Sequence, residues 1–219
     1  MGLIRRRNGL RADRRTLALG GVATALATAV VGGELARVWH RGSAPLPADT
    51  EEPLLAAAEA VAETASVARA GYGDVSVTEN ALFNLFTSFV VSFVSVRGIT
   101  TLLRDRRSVG PFRNLMVGRR HIHHFVPGIV MAFVSGSIAI ATNRDDIEPW
   151  LAIPFGAGMG LTLDESALLL ELDDVYWSEE GIVSVQIALA AIAMLSAVAL
   201  ATRFLRRGEE LILDDMELA

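Results

Sequence analysis

The chain has 219 residues, of which 52% are hydrophobic, and its mean hydropathy is +0.40. A chain of this length cannot bury such long apolar runs in a water-soluble core, so the composition excludes an ordinary soluble domain. Cysteine is absent, which excludes disulfide frameworks, thiolate metal sites and cysteine nucleophiles. The formal net charge of −5 hides a separation of arginines and acids into different segments.

The apolar runs predict an all-α fold, a polytopic transmembrane helix bundle with five spans or, as the alternative, four. A spanning helix needs about 20 mostly apolar residues. The predicted spans cover residues 17–33, 80–103, 125–141, 150–172 and 182–204. They divide the chain into a basic N-terminus with a first anchor (1–42), an acidic exterior linker (43–79) with room for a surface helix over 54–68, a four-helix core (80–205) and an acidic tail (206–219).

Arginines set the predicted orientation. Residues 1–15 hold six arginines and residues 97–120 hold seven, each segment against one acid, so both are predicted to be cytoplasmic. We therefore expect a multi-pass protein of the cell (inner) membrane with a cytoplasmic N-terminus and the lipid bilayer, not nucleic acid, as its partner. Five spans, however, place Arg203, Arg206 and Arg207 outside, against the same rule. A cleaved signal peptide is the alternative interpretation of the first span.

The second predicted span carries a polar face. Asn84, Ser88, Ser92 and Ser95 recur at helical spacing and so share one side of the helix. Hydrogen bonds to a neighbouring helix are the favoured interpretation, and the wall of a hydrated cavity is the alternative.

The fourth predicted span carries carboxylates inside the membrane. Asp164 and Glu165 fall near the midplane, where a carboxylate is costly unless a partner compensates it, and they are the candidate catalytic residues. Glu171 lies seven residues after Asp164 and shares its helix face. Gly156 and Gly160 form a small-residue surface on which another helix can approach closely, which could join two copies into a homo-oligomer.

Three histidines precede Pro127-Gly128 at the predicted cytoplasmic mouth of the third span. Glu171 and Asp174 of the fourth span fall at a comparable depth, and imidazole with carboxylate suits zinc, iron or manganese. The candidate ligands of such a divalent transition metal are His121, His123, His124, Glu171 and Asp174. Solvated interfacial histidines are the alternative interpretation.

Several short motifs resemble one family of bacterial polytopic membrane proteins that has no established activity. They are Gly110-Pro111-Phe112-Arg113-Asn114, Val117-Gly118, His121-Ile122-His123-His124, Leu163-Asp164-Glu165 and residues 173–181. The similarity spans about residues 79–205. It departs from the family pattern at Ser166, Leu168 and Asp173. The resemblance implies a membrane fold and the same residues of interest, and it implies no reaction.

Three functions remain open on the sequence. The first is a metal-dependent intramembrane hydrolase, with Asp164 or Glu165 as the general base on metal-bound water. The second is a proton- or metal-ion-coupled transporter, with the same two acids as carriers and the histidines as the cytoplasmic port. The third is a non-catalytic membrane component whose acids pair with cytoplasmic arginines.

Overall fold

The structure is a computed structural model that describes residues 14–46, 49–105, 116–117, 120–121, 124–164 and 179–217. Side chains are described for residues 14, 17–46, 49–99, 124–164 and 185–212. The helices are α1 (Arg14–Arg41), α2 (Pro53–Asp74), α3 (Val77–Asp105), α4 (Phe125–Thr142), α5 (Glu148–Asp164) and α6 (Glu179–Glu217). A two-residue strand, β1 (Met116–Val117), pairs antiparallel with β2 (Arg120–His121).

The predicted helical bundle is confirmed, and four helices are long and apolar enough to cross a membrane. Within the described part of the chain these candidate spans are Leu17–Arg41, Val77–Ile99, Phe125–Thr142 and Val185–Ile212. They fall in α1, α3, α4 and α6. The predicted fourth span corresponds to α5, whose described helix ends at Asp164 after 17 residues; residues 165–172 lie outside the described residues.

Close backbone contacts hold α3, α4 and α5 together. A side chain at Gly156 or Gly160 would collide with the α3 backbone at Leu85 or Phe89, and one at Gly158 would collide with the α4 backbone. The small-residue surface predicted on this helix therefore packs on a neighbour within the same chain, as close helix approach requires. The homo-oligomer stays a prediction.

Polar residues of α3 bond across the same interface. Asn84 Nδ2 donates to the Pro149 carbonyl at 2.8 Å, and Ser92 Oγ donates to the Ala157 carbonyl at 2.9 Å. Both acceptors lie on α5, where Pro154 interrupts the regular helix bonding. The predicted interhelical hydrogen bonding of this face is confirmed for Asn84 and Ser92.

The predicted exterior linker contains a helix with one buried face. α2 runs well beyond the surface helix predicted over residues 54–68, and its alanine-rich face is buried against α6. Val67 of α2 and Val38 of α1 are fully buried against each other, with Leu205 and Ile212 packed around them. α6 in turn continues through residues 206–217, which the sequence had suggested as a separate acidic tail. At about 1.5 Å per residue, α6 is about 58 Å long, well beyond the hydrocarbon thickness of about 30 Å.

The bundle has two distinguishable ends. At one, which we call the Arg97 end, Asp164 of α5 contacts Arg97 of α3 and His124, the residue before α4, and Arg97 bonds to Gln186 of α6. Gly20, near the start of α1, packs on Ile187 of α6 and so lies toward the same end. The other, the Glu79 end, joins the start of α3 to the later part of α6. The beginning of α1 and the later part of α3, which are next in sequence to the two arginine-rich segments, therefore lie toward the Arg97 end.

The arginines that conflict with the orientation rule are all ion-paired at the Glu79 end. Arg203 Nε lies 2.8 Å from Glu79 Oε1 on α3, and Arg206 lies 3.4 Å from Glu34 on α1. Arg207 pairs with Asp74 on α2 and with Glu210 on its own helix. These acids neutralise the positive charge of the arginines locally. This gives a physical reason why arginines can lie at an end of the bundle where the orientation rule predicts few of them.

A second group of charges, the Glu209 cluster, ties α1 to α6. Its acceptor, Glu209, is only 1% exposed, yet Arg37 and Arg41 of α1 each place a guanidinium nitrogen 3.0 Å from its carboxylate. Glu34 pairs with Arg37 at 2.6 Å and is itself buried. Burial of a charge requires such partners, so this cluster fixes the register of α1 on α6.

Candidate functional site

The buried carboxylate of Asp164 lies between two basic side chains at the Arg97 end. Arg97 Nε is 2.7 Å from Oδ1, and His124 Nε2 is 3.0 Å from Oδ2. The Asp164 side chain is 3% exposed, whereas those of Arg97 and His124 are 35% and 24% exposed. The compensation that the sequence required for this acid is therefore confirmed, and its donors come from α3 and α4.

Gln186 completes the arrangement from α6. Its Nε2 donates to the Leu163 carbonyl at 2.6 Å and to the Asp164 carbonyl at 3.3 Å, while its Oε1 accepts from Arg97 at 2.6 Å. The Gln186 amide and the Arg97 guanidinium thus bond backbone carbonyls at the end of the described part of α5. We call Arg97, His124, Asp164 and Gln186 the four-helix site, because three of them lie on α3, α5 and α6 and His124 immediately precedes α4.

Local sequence explains how each helix presents its side chain. Pro127 stands in the first turn of α4, where a missing N–H costs nothing, and His124 is the residue just before that helix. The guanidinium of Arg97 lies 5.6 Å from the ring centroid of Phe93, one turn earlier on α3, which helps to direct it along the bundle. The glycines of α5 bring that helix close enough to α3 for Asp164 to reach Arg97.

The geometry suits storage and transfer of a proton. His124 Nε2 and Asp164 Oδ2 are at hydrogen-bond distance, and the imidazole nitrogen is the donor in the tautomer that carries its proton on Nε2. The Arg97 contact at Oδ1 is an ion pair rather than a well-angled hydrogen bond, and within the described residues this oxygen has no hydrogen-bond donor. Asp164 therefore contacts a part-exposed histidine through Oδ2 and an arginine through Oδ1.

Only part of the predicted site can be compared with the structure. Asp164 and His124 are brought together by a contact of 3.0 Å. His123, Glu165, Glu171 and Asp174 lie outside the described residues, and His121 is described only through its backbone pairing with Met116 in the β hairpin. Among side chains that the structure does describe, no three histidines or acids gather as metal ligands. The metal centre stays a prediction.

Two members of the four-helix site were not among the predicted residues. Arg97 was counted among the cytoplasmic arginines, which the third hypothesis pairs with the acids as a group, and it was not singled out, although an arginine within an apolar helix needs a partner. Gln186 is the only amide in the apolar run 182–204, and an amide there usually bonds across to another helix. Either signal could have identified these residues, but neither could have identified Asp164 as the shared partner.

No protein-family model, curated protein or solved structure matches the chain. The resemblance noted in the sequence therefore stays a prediction, and the function must be argued from the four-helix site itself.

Proposed function

We propose that the chain is a five-span membrane protein that binds and releases a proton at His124 and Asp164, as the proton-binding part of a proton-coupled transporter. The observation that supports this most is the contact of a part-exposed imidazole with a buried, arginine-paired carboxylate. Acids inside membrane helices mark proton and ion pathways more often than they serve packing. The transported species is not specified by these residues.

The path of α5 supports the fifth span. α5 meets Asn84 of α3 at Pro149 and Arg97 of α3 at Asp164. The 15-residue rise between those contacts is about 22 Å, and the matching stretch of α3 rises about 20 Å. α5 thus runs alongside a candidate span for most of the hydrocarbon thickness, and residues 165–172 extend the predicted apolar run. With the Arg97 end cytoplasmic, both arginine-rich segments satisfy the orientation rule.

Each step of the proton exchange uses groups already in contact. His124 takes a second proton from the cytoplasmic water and becomes an imidazolium. It then passes its Nε2 proton to Asp164 Oδ2 and returns to a neutral ring. Asp164 is now neutral, so it loses its electrostatic attraction to Arg97. Because Arg97 and Asp164 join α3 to α5, proton binding weakens that joint and allows the two helices to move.

A pH jump on a supported membrane tests the proposal without knowledge of the substrate. Proteoliposomes adsorbed on a capacitive electrode should give a transient current when the pH falls, because protons enter a buried site. Asp164→Asn and His124→Gln should each remove most of this current. Arg144→Gln, which changes an exposed loop pair at the Glu79 end, should leave it unchanged. Equal currents from wild type, Asp164→Asn and His124→Gln would refute the proposal.

A static lock is the second candidate, and the Arg97–Gln186 bond favours it. Gln186 and Arg97 join α3, α5 and α6 with an amide and an ion pair, as a purely structural network would. A lock predicts no proton current from the wild type. It also predicts that Asp164→Asn prevents stable expression, whereas the proton-binding site tolerates that change with little loss of folded protein.

A further inference from the structure

The helices of the described chain pack as two groups. In the first, which we call the α3 group, α5 packs on both α3 and α4. An added Cβ at Gly156 would collide with the Leu85 carbonyl of α3, and one at Gly158 would collide with the Gly128 carbonyl of α4. Contacts between backbones at this distance leave no slack, because protein interiors are close-packed. The α3 group is therefore one packed unit along the glycines of α5.

The second group, which we call the α6 group, consists of α1, α2 and α6. α6 packs on both α1 and α2. Gly20 of α1 lies against Ile187 near the start of α6, and Val38 of α1 is buried against Val67 of α2 near its other end. The Glu209 cluster adds buried ion pairs between α1 and α6. α1 therefore stays on α6 from one end of the bundle to the other.

The contact between the two groups is looser than the contacts within them. In the described residues it is made mainly by α3 and α6. Two open cavities lie along it, one of about 600 Å³ lined by Glu79 and Arg203 and one of about 580 Å³ lined by Phe86 and Leu189. Packed interiors contain few voids of this size, so the two groups can move against each other more easily than the helices inside each group.

The two groups are joined firmly at the Glu79 end. Tyr72 of α2, Phe83 of α3 and Phe204 of α6 pack edge to face, with ring centroids between 5.1 and 6.4 Å apart. Asn84 Nδ2 of α3 donates to the Tyr72 hydroxyl at 2.9 Å. α2 also passes into α3 through the two residues 75–76. This end of the bundle therefore has the contacts expected of a hinge, and we call the three rings the aromatic hinge.

At the Arg97 end the two groups are joined by one buried amide. Of the side chains described on α6, only Gln186 bonds to the α3 group there. It is 2% exposed, and it bonds to Arg97 of α3 and to the Leu163 and Asp164 carbonyls of α5. Water can replace such bonds at a small net cost when the helices part, so this contact can open and close. A movement that begins at the Arg97–Asp164 joint reaches α6 through Gln186.

We infer that Gln186 holds a gate closed at the Arg97 end, and that the α6 group tilts about the aromatic hinge to open it. The purpose of the gate rests on the transport function proposed above, since a transporter exposes its site to one side at a time. The 18-residue rise from Gln186 to Phe204 is about 27 Å, so a tilt of about 10° moves Gln186 by about 5 Å. Opening brings water to the four-helix site from that end.

Pairs of spin labels test the gate, because the chain has no cysteine of its own. Val94→Cys with Val185→Cys reports across the gate, and Val22→Cys with Val185→Cys reports within the α6 group; all three positions are exposed near the Arg97 end. Pulsed double electron–electron resonance in lipid nanodiscs at one constant pH measures both distances. Gln186→Leu should lengthen the distance across the gate by about 5 Å and leave the distance within the group unchanged.

Thr202→Val is the matched control on α6, because the Thr202 hydroxyl bonds to the Val198 carbonyl of its own helix. It should leave both distances as they are in the wild type. Gln186→Asn keeps an amide but shortens its reach by one methylene, so it should also lengthen the distance across the gate. This second variant keeps the test decisive if Gln186→Leu loses helicity by circular dichroism.

Two results would overturn the inference. An unchanged distance across the gate in both Gln186 variants would mean that Gln186 does not hold the two groups together. A distance from Val22 to Val185 that lengthens as well would mean that α6 leaves α1, so that the α6 group is not one unit. Both results are obtained at constant pH and leave the wild-type pH-jump current as it is, so failure of the gate is distinguishable from failure of proton exchange.

Discussion

Gly71 of α2 and Gly208 of α6 lie against each other where the two helices cross. A Cβ at Gly71 would collide with the Phe204 carbonyl and lie 2.9 Å from the Gly208 nitrogen. One at Gly208 would collide with the Val67 carbonyl and lie 3.1 Å from the Gly71 nitrogen. Because the obstacles are backbone atoms, no side-chain adjustment can relieve the overlap. The segment predicted as a linker is thus held to α6 by direct backbone approach.

Gly71→Ala and Gly208→Ala should each destabilise the protein by about 1–3 kcal/mol or more, as overpacking of a close contact does. Gly73→Ala on the same helix is the control, since nothing lies within 4 Å of its added Cβ. Alanine has the better helix propensity, so Gly73→Ala should be neutral or slightly stabilising. Thermal unfolding in detergent measures all three. Equal behaviour of Gly71→Ala and Gly73→Ala would contradict the crossing.

The Arg97–Asp164 pair should respond unequally to loss of its two partners. Arg97→Gln leaves a buried carboxylate without its cation, whereas Asp164→Asn leaves a guanidinium that already reaches water. Removing one partner of a buried pair costs about 3–5 kcal/mol, and we expect Arg97→Gln to approach that range and Asp164→Asn to fall below it. Urea or thermal unfolding of both single variants and the double variant tests this. The double variant should cost less than the sum of the singles.

Adjacent acids on α6 provide a direct comparison of buried and exposed ion pairs. Glu209 is buried beneath Arg37 and Arg41, whereas the Glu210 side chain is 59% exposed beside Arg207. Glu209→Gln should destabilise the protein by about 1–3 kcal/mol, because two charged hydrogen-bond donors lose their acceptor charge. Glu210→Gln should change stability by less than about 1 kcal/mol, as exposed pairs do. Similar losses from both would contradict the role of the Glu209 cluster.

The Glu209 cluster also bears on whether α1 is cleaved as a signal peptide or retained as an anchor. Removing residues 1–33 as a signal peptide would leave Glu34, Arg37 and Val38 at a new N-terminus, although they are packed on α6 or α2. These residues have packing and ion-pair partners on α2 and α6, which favours retention of α1 as an anchor. Intact-mass measurement of the purified protein should show residues 14–33 still present. A mature N-terminus near residue 34 would support the signal-peptide alternative.

The sequence predicted the membrane helices well because an uninterrupted run of about 20 apolar residues is typical of a membrane-spanning helix. It predicted a partner for Asp164 because a buried carboxylate demands one, and it placed His124 at the mouth of its helix through Pro127. It did not identify Arg97 as that partner, since the pairing depends on how closely the glycines let α5 approach α3. The distance between two helices cannot be predicted from the local composition of either one.

Two acid-rich segments show a second reason why the sequence could not predict the whole fold. Residues 43–79 and 206–219 are rich in acids, and acid-rich composition favoured a linker and a tail. Their packing in the described residues involves both segments: α2 contacts α6 through Gly71 and Gly208, Arg41 of α1 pairs with Glu209, and Arg207 of α6 pairs with Asp74. A feature that is stable only when two distant segments meet cannot be recognised from either segment alone.

The turn between α4 and α5 contains the exposed pair Arg144 and Asp146. Hydrogen bonding from Arg144 lowers the pKa of Asp146 from its ordinary value of 3.8. The pair's contribution to stability is present above that ordinary value and is lost as the pH falls through the lowered pKa of the folded state. Arg144→Gln should return the Asp146 pKa toward its ordinary value, as carboxyl-carbon NMR titration can measure. An unchanged pKa would mean that the pair does not persist in solution.

The absence of cysteine allows a clean test of topology by single-cysteine labelling in intact cells. Ser66 on α2, Asp145 in the α4–α5 turn and Glu210 on α6 are exposed, and all adjoin elements that meet at the Glu79 end. In a five-span protein with a cytoplasmic N-terminus, Ser66→Cys, Asp145→Cys and Glu210→Cys should react with a membrane-impermeant maleimide from outside. Ser108→Cys, within the arginine-rich segment, should react only after permeabilisation. If Glu210→Cys and Ser66→Cys label from opposite sides, α6 does not return to the Glu79 end and the five-span topology is wrong.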